Sequence, residues 1–323
     1  MAQFWRLTRE LDVQSLRQAF DTPVSVRVLG SDMVSAQRVA RLIEPDPEAG
    51  EVSAAVLGNE SPDSGSTFNH TRVRPDLYVI AIGGPLDPTA RRALSDLTVG
   101  ETPLVLVQLQ GMGADLLVVG VPDERIVSLQ PDMGDDEARD QLFTTLVRTA
   151  PEVMLAAGRR HPLLREPVAE HLIRDTSRVN AQFAAISSIP ANVPLVGGLV
   201  GDMADILVLT KNQVLLLFKL AGLYGRDLAL GRQLLVEIMP VVGSAFMWRS
   251  AARTLLGLVP GLLGMLPKTM VAYSGTYVVG QMARYYYRHG HKPPPELAHQ
   301  LREESLRIAR DALSRLRGGA GRS

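Results

Sequence analysis

Residues 24–43 read VSVRVLGSDMVSAQRVARLI. The first six residues are rich in valine, as is typical of a buried strand, and Gly30 follows them directly. From Met33 to Ile43 the apolar residues recur at helical spacing. The stretch therefore predicts a strand, a glycine turn and a helix, which is the opening unit of an α/β fold.

The same alternation of apolar runs and helical patterns continues to about residue 150. Further strands are predicted at 77–82, 104–107, 116–119 and 125–128, and helices at 88–97 and 135–149. The intervening stretch 44–74 is rich in Pro, Gly, Ser and Asp, and predicts a long loop or a poorly formed edge hairpin. Continuous apolar runs between helices favour a mainly parallel, doubly wound sheet.

Composition and charge exclude several classes of protein. The chain has 323 residues, 46% of them apolar, and no cysteine, which excludes a disulfide scaffold, a thiolate zinc site and a cysteine nucleophile. Its net charge is zero, but residues 1–150 carry a net −9 and residues 151–323 a net +9. This balance argues against a nucleic-acid partner, and the asymmetry suggests that the two halves have different roles.

The element order of the first half resembles an Era- or Ras-like small GTPase. In that family the first strand runs into a P-loop, GxxxxGK[ST], whose backbone, Lys and hydroxyl hold phosphates and Mg²⁺. Here Gly30 is kept, but Ser35 replaces the second Gly, Ala36 the Lys and Gln37 the hydroxyl residue. Asp32 also adds a carboxylate where a phosphate should lie, and charge repulsion opposes that arrangement.

The guanine-reading motif is also missing. NKxD should follow the strand at 104–107, but Gln108-Leu109-Gln110-Gly111 stands there. The resemblance therefore implies a degenerate GTPase-like domain that binds no nucleotide and needs no cofactor. A generic α/β domain and a GTPase with non-standard nucleotide contacts are the alternatives.

The second half resembles the YcjF-like domain of unknown function. That resemblance rests on residues 162–165, 172–176, 189–194, 205–213, 220–227 and 272–277, of which 209–213 (LTKNQ) is the most specific piece. The family implies a helical domain, often membrane-associated and often fused behind Era-like GTPase domains, with no established activity. It therefore implies a location more than a reaction.

One predicted helix of this half carries a polar seam. It runs from about Met203 to Tyr224, with Asp202 as its cap and Gly225 at its end. Four residues spaced by seven lie on one of its faces: Asp205, Asn212, Lys219 and Arg226. The seam is either the hydrogen-bonded edge of a core helix or a contact for a partner helix or lipid headgroups.

Residues 233–283 contain only four charged residues, and this raises the question of whether the segment enters a lipid bilayer. They could span it, dip into one leaflet, or form the core of a soluble helical domain; Lys268 and several Gly and Pro interrupt every candidate span. Aromatic and basic side chains follow and predict a membrane interface that attracts anionic headgroups: Arg284, Tyr285, Tyr286, Tyr287 and Arg288.

These patterns predict a GTPase-like α/β domain over residues 1–150, a YcjF-like helical domain over 151–290 and a basic helix and tail over 291–323. No catalytic or metal-binding constellation is expected. The leading hypothesis is a non-enzymatic, membrane-associated interaction protein whose bulk faces the cytoplasm, with possible self-association through apolar helices. An unusual GTPase and a soluble, cytoplasmic oligomeric scaffold are the alternatives.

Overall fold

The computed structural model describes residues 12–45, 52–58, 74–109, 120–186, 202–231, 233–243, 265–297, 299–301, 303–304 and 307. The chain forms two compact units, one of residues 19–168 and one of residues 1–18 with 169–323. The first unit thus runs past residue 150.

The first unit contains a five-stranded, entirely parallel sheet. Its strands and helices, in chain order, are α1 (Val13–Asp21, which begins before the unit), β1 (Val26–Gly30), α2 (Met33–Ile43), β2 (Val52–Val56), β3 (Leu77–Ile82), α3 (Pro88–Val99), β4 (Leu104–Leu109), β5 (Ile126–Leu129), α4 (Asp135–Thr149) and α5 (Pro151–Arg160). The prediction of an α/β fold with parallel strands is confirmed, as are the helices at 33–43 and 135–149. The strand predicted at 116–119 lies outside the described residues.

The strands are ordered β2-β1-β3-β4-β5, which is the order of flavodoxin-like doubly wound sheets. The α3 helix packs Ala90 and Leu94 on one face of the sheet, against Leu29, Ile80 and Leu106. Because successive side chains of a strand alternate between faces, Val28, Val79 and Val105 point to the other face. The α2 and α4 helices contact each other and cover that side.

The prediction for residues 44–74 was wrong in one respect. The described part of the segment contains β2, which pairs in parallel with β1 from Val26↔Val52 to Gly30↔Val56, so β2 does not pair with β1 as a hairpin strand would. This edge strand is short and contains two alanines and a serine, so it lacks the bulky β-branched run that marks the central strands. The antiparallel alternative fails because α2 returns the chain to the end of the sheet at which β1 began.

The second unit is helical. It contains most of α6 (Pro162–Ile186), α7 (Asp202–Leu223), α8 (residues 233–243) and α9 (Met265–His289). The predicted end of α7 is confirmed: Gly225 adopts φ +79, and Arg226 N–H donates to the Ala221 carbonyl at 2.9 Å. Residues 295–297 and 299–301 are also helical, and the rest of the predicted tail helix lies largely outside the described residues.

The apolar pattern of residues 269–283 is explained by packing. On α9, Val279 and Ala283 are fully buried, and Tyr277 and Val278 nearly so. A Cβ on Gly280 would lie 2.7 Å from Ile173 of α6 and 3.2 Å from Leu216 of α7, so the three helices approach closely there. This part of the low-charge segment therefore forms a protein core.

Candidate functional site

The switch point of the sheet is the first place to look for a ligand. In doubly wound sheets ligands bind outside the carboxyl ends of the strands, where the chain changes direction along the sheet. Here that point lies between β1 and β3, because α2 leads to β2 on one side of β1 and the chain then returns to β3 on the other. The turns that follow Gly30 and Ile82 line it.

The turn after β1 is two residues long. Ser31 and Asp32 connect β1 to α2, and the Asp32 carboxylate caps the helix by accepting from Ser35 N–H at 2.8 Å. The same carboxylate accepts from the Ser35 hydroxyl at 2.7 Å and from the Ser31 hydroxyl at 3.0 Å. A negative side chain thus lies at the positive end of the helix, which is where a bound anion would be expected.

Ser31 also links the two turns at the switch point. Its N–H donates to the Ala81 carbonyl at 2.8 Å, and its hydroxyl accepts from Gly83 N–H at 3.0 Å. These polar groups, which could otherwise contact a ligand between β1 and β3, are thereby bonded to one another.

The ionisation of Asp32 follows from these contacts. Partial burial by itself raises the pKa of this carboxyl, but hydrogen bonds from Ser35, Ser31 and Val34 favour the charged form. The net effect is a pKa below the ordinary value of 3.8. Asp32 is therefore negatively charged at neutral pH.

The stretch that aligns with a P-loop is mostly helix. Because α2 begins at Met33, the predicted degenerate positions Ser35, Ala36 and Gln37 lie inside it, with Ser35 and Ala36 buried. In a phosphate-binding loop the four residues after the first Gly form an open turn whose N–H groups are directed at the ligand, whereas here the helix already begins three residues after Gly30. Gly30 is required for another reason, since a Cβ there would lie 2.3 Å from the Asp32 carbonyl and 2.6 Å from Ala36 N.

A second polar pair lies where the guanine-reading motif would be. Gln108 of β4 accepts a hydrogen bond from the Ser128 hydroxyl of β5 at 3.0 Å. Both residues lie near the carboxyl ends of their strands, and the residues that follow Leu109 are outside the described part of the chain. The pair joins neighbouring strands and presents no carboxylate to a base.

The helical unit holds a buried polar network formed by Asn180, Asn212, Gln213 and Thr276. The Asn212 amide donates to the side-chain oxygen Oδ1 of Asn180 at 2.8 Å, and the side-chain amides of Asn180 and Gln213 both donate to the Thr276 hydroxyl, at 2.8 and 3.0 Å. Thr276 in turn donates to the Ala272 carbonyl at 2.8 Å. The network joins α6, α7 and α9, and three of its members are almost completely buried.

Sequence reasoning identified only Asn212 of this network. Asn180, Gln213 and Thr276 were missed because each is a neutral side chain within an apolar pattern. A usable signal was present, since Asn212 and Gln213 belong to the LTKNQ stretch that carries the family resemblance most specifically.

The predicted polar seam does not act as one site. Asn212 belongs to the buried network, whereas Arg226 lies beyond the end of α7, 3.6 Å from Glu237. Lys219 is half-buried near His171. Burial lowers the pKa of His171, and the charges of Lys219 and Arg178 lower it further against the opposite effect of Asp175. The side chain of Asp205 lies outside the described part.

The predicted aromatic and basic interface makes contacts within the helical unit. Arg284 pairs with Glu170 at 2.7 Å, and Glu170 also accepts from Gln281 and from Arg174. Tyr286 donates to Glu237 at 2.8 Å. The remaining members differ in exposure: Tyr287 is buried and stacks on Tyr224, Tyr285 contacts His289 and His291, and Arg288 is exposed.

An open groove of about 610 Å³ lies beside this region. It is lined by Ala229, Leu230, Gln233, Val236 and Glu237. Leu230 and Val236 are exposed there, and the described lining residues bring together no group of side chains suited to catalysis.

The described residues also lack two further kinds of feature. No three His, Asp or Glu side chains within them come together as a metal site would require. None of the helices in the described part combines the length and apolar character needed to cross a bilayer. Comparison with protein-family models, with curated proteins and with solved structures gives no match.

Proposed function

We propose that this chain is a non-enzymatic, membrane-associated interaction protein whose α/β unit is a scaffold without nucleotide chemistry. The observation that carries the proposal is the Asp32 carboxylate, which makes at the start of α2 the contacts that a phosphate makes in nucleotide-binding folds.

Electrostatics opposes a phosphate at this position. A phosphate oxygen close to the Asp32 carboxylate would place two like charges within a few ångströms. Two unit charges 4 Å apart repel by about 4 kcal/mol at an effective dielectric constant of about 20. Ala36 stands at the position where the lysine of a P-loop would offset that repulsion.

The proposal also includes a relation between the α/β unit and the GTPase domains that it resembles in sequence. Gly30 at the end of β1 and a parallel sheet support it. The strand order is shared with flavodoxin-like proteins, so the order alone does not favour a GTPase over other doubly wound proteins. We therefore rest the proposal on the filled anion position and not on ancestry.

Equilibrium binding of fluorescent GTP and GDP, with and without Mg²⁺, tests the absence of nucleotide chemistry. The full chain should show no saturable binding up to high micromolar nucleotide. Asp32→Asn is the matched variant, because it keeps a capping side chain and removes the charge. Its nucleotide binding is compared with that of the unchanged chain. Saturation of the unchanged protein at low micromolar concentration would overturn the proposal and favour the GTPase alternative.

Membrane association is supported by the charge pattern of the second half. Residues 187–201 contain no Asp, Glu, Lys or Arg, and residues 244–264 contain only Arg249 and Arg253. Long apolar segments within a half that carries a net +9 are typical of proteins that bind anionic bilayers.

Flotation of the purified chain with vesicles tests this part. Vesicles of phosphatidylcholine with phosphatidylserine should carry the protein upward, and vesicles of phosphatidylcholine alone should carry less of it. Protein that remains at the bottom of the gradient with both vesicles, as a monodisperse oligomer, would instead favour the soluble scaffold.

A further inference from the structure

Glu44 is a buried acidic side chain of the α/β unit to which the proposed function gives no role. It follows the last residue of α2, and its side chain is 5% exposed. Oε2 accepts a hydrogen bond from the Val52 N–H, at the start of β2, at 3.1 Å. Within the described part of the chain, Oε1 receives no hydrogen bond. A buried carboxylate oxygen without a donor is unfavourable, because it has lost the water that it binds in the unfolded chain.

An imidazole lies close to this oxygen. Nδ1 of His161 is 3.8 Å from Oε1 of Glu44, and the His161 side chain is 17% exposed. That distance is too long for a hydrogen bond, which requires about 2.7 to 3.2 Å between nitrogen and oxygen. The two groups are therefore within reach of a bond that a displacement of about 1 Å would form.

His161 occupies the junction of two helices. It is the one residue between α5 and α6. Its N–H donates to the Ala157 carbonyl at 2.7 Å, and its own carbonyl accepts from Leu164 N–H at 3.0 Å. A bond between the two side chains would therefore tie the start of the edge strand β2 to the junction through which the chain leaves the α/β unit.

A single proton would satisfy both side chains. Placed between Oε1 of Glu44 and Nδ1 of His161, it makes a charge-assisted hydrogen bond, whichever of the two atoms carries it. A neutral imidazole can donate from Nδ1 in only one of its tautomers and without the added charge, so its bond is weaker. Imidazole is the side chain that ordinarily gains and loses its proton between about pH 5 and pH 8.

We infer that Glu44 and His161 form a pH-dependent switch, in which a shared proton joins the α5–α6 junction to the start of β2 and its loss separates them. The switch belongs to the α/β unit and does not depend on membrane association. Because folding favours the protonated pair, its contribution to stability is present at mildly acidic pH and is lost as the pH rises. Mild acidification therefore tightens this part of the unit.

Other charged groups belong to the elements that meet at the pair. The acids Asp46, Glu48 and Glu51 follow Glu44 in the sequence, outside the described residues. The charged side chains at the described ends of the neighbouring helices are Asp21 of α1, Arg38 and Arg41 of α2, Arg159 and Arg160 of α5, and Arg165 and Glu166 of α6. Substitution of Glu44 by Gln leaves all of these groups in place, so it isolates the Glu44 carboxylate.

Two of the arginines make contacts that keep them in the junction. Arg160 donates to the Asp21 carbonyl at 3.3 Å. Arg165 donates to the carbonyls of Gly158 and Arg159, at 3.4 and 3.1 Å. These bonds use backbone acceptors, so they do not change with the protonation of Glu44 or His161.

Hydrogen exchange of backbone amides in the full chain, followed by NMR at pH 6 and pH 8, tests the switch. Two amides report on it directly: Val52 N–H is bonded to Glu44, and Leu164 N–H is bonded to His161. Protection factors, which correct for the pH dependence of the exchange chemistry itself, should be about tenfold higher at pH 6 than at pH 8 for both amides.

Two variants should remove this pH dependence. Glu44→Gln keeps an oxygen for Val52 N–H and loses the charge, and His161→Asn keeps a donor near Nδ1 that does not titrate. His299→Asn is the matched control, because His299 lies 3.7 Å from Glu303 in a pair that is exposed on both sides. That variant should retain the tenfold difference. Circular dichroism verifies the fold of each variant.

The other outcomes overturn the inference. Equal protection at pH 6 and pH 8 in the unchanged chain would show that no switch operates between these pH values. A pH dependence that survives Glu44→Gln would assign the effect to the neighbouring acids. Protection that rises toward pH 8 would have the opposite sign to a shared proton. If His161→Asn fails to fold, the comparison of the unchanged chain with Glu44→Gln decides alone.

Discussion

The carboxylate of Asp32 holds Ser35 by two hydrogen bonds, one from the backbone N–H at 2.8 Å and one from the hydroxyl at 2.7 Å. The pair lies where a doubly wound sheet usually receives its ligand. It stabilises the start of α2 and supplies the negative charge that a ligand would otherwise bring. Two substitutions at Asp32 can separate these two effects.

Removing the side chain of Asp32 should destabilise the α/β unit. Asp32→Ala leaves the helix uncapped and Ser35 without its acceptor, so we expect the free energy of unfolding to fall by about 2 kcal/mol. Asp32→Asn keeps a capping oxygen and should cost less than about 1 kcal/mol. Urea unfolding of both variants measures the difference, and identical losses would argue against a capping role.

The contribution of Asp32 should depend on pH. Its pKa in the folded chain lies below the ordinary value of 3.8, so its charged form is favoured by folding. The resulting stability is present above pH 3.8 and is lost as the pH falls through the lower folded-state pKa. The difference in unfolding free energy between the unchanged chain and Asp32→Asn should therefore be constant near neutrality and shrink in acid. A difference that grows toward low pH would refute this.

Gly30 should tolerate no side chain. A Cβ at this position would lie 2.3 Å from the Asp32 carbonyl and 2.6 Å from Ala36 N, and these backbone atoms cannot move without displacing α2. We expect Gly30→Ala to cost about 3 kcal/mol or more. Gly134→Ala is the control, because no atom lies within 4 Å of its Cβ position, and should cost about 1 kcal/mol or less. Thermal and urea unfolding compare the two.

The buried polar network should behave as a coupled unit. Asn180→Ala leaves buried groups of Asn212 and Thr276 with fewer partners, at a cost of about 3 kcal/mol. Combined with Thr276→Val, the loss should differ from the sum of the single losses by at least about 1 kcal/mol. Gln182→Ala, at an exposed site on the same helix, should change stability by less than about 0.5 kcal/mol. Strict additivity would show that the network is not coupled.

Alkaline pH should weaken the helical unit through its tyrosines. Burial raises the pKa of Tyr277 to about 12 and raises that of Tyr287 as well, against an ordinary value of 10.0. Folding favours the neutral phenols, so their contribution is present below pH 10 and is lost as the pH rises further. Tyr287→Phe should lessen this loss, as measured by urea unfolding between pH 9 and pH 11. A variant with the full alkaline loss would exclude Tyr287 as a cause.

Local sequence patterns predicted the positions of strands and helices better than they predicted which segments contact one another. The strand at 77–82 and the helices at 33–43 and 135–149 follow from side-chain periodicity, which depends only on neighbouring residues. The edge strand β2 was missed because its residues are small and its identity depends on pairing with β1. The polar network was missed for a related reason, since a neutral amide is informative only when its buried partner is known.

The amino-acid sequence by itself determined that the first half alternates strands with helices and that the second half contains long stretches with little charge. Both follow from the order and polarity of residues along the chain. Only the tertiary structure decided that Asp32 meets Ser35 at the switch point and that residues 269–283 form part of a protein core. It alone also joined Asn180, Gln213 and Thr276 in one buried network, because side-chain partners are set by packing between segments distant in the chain.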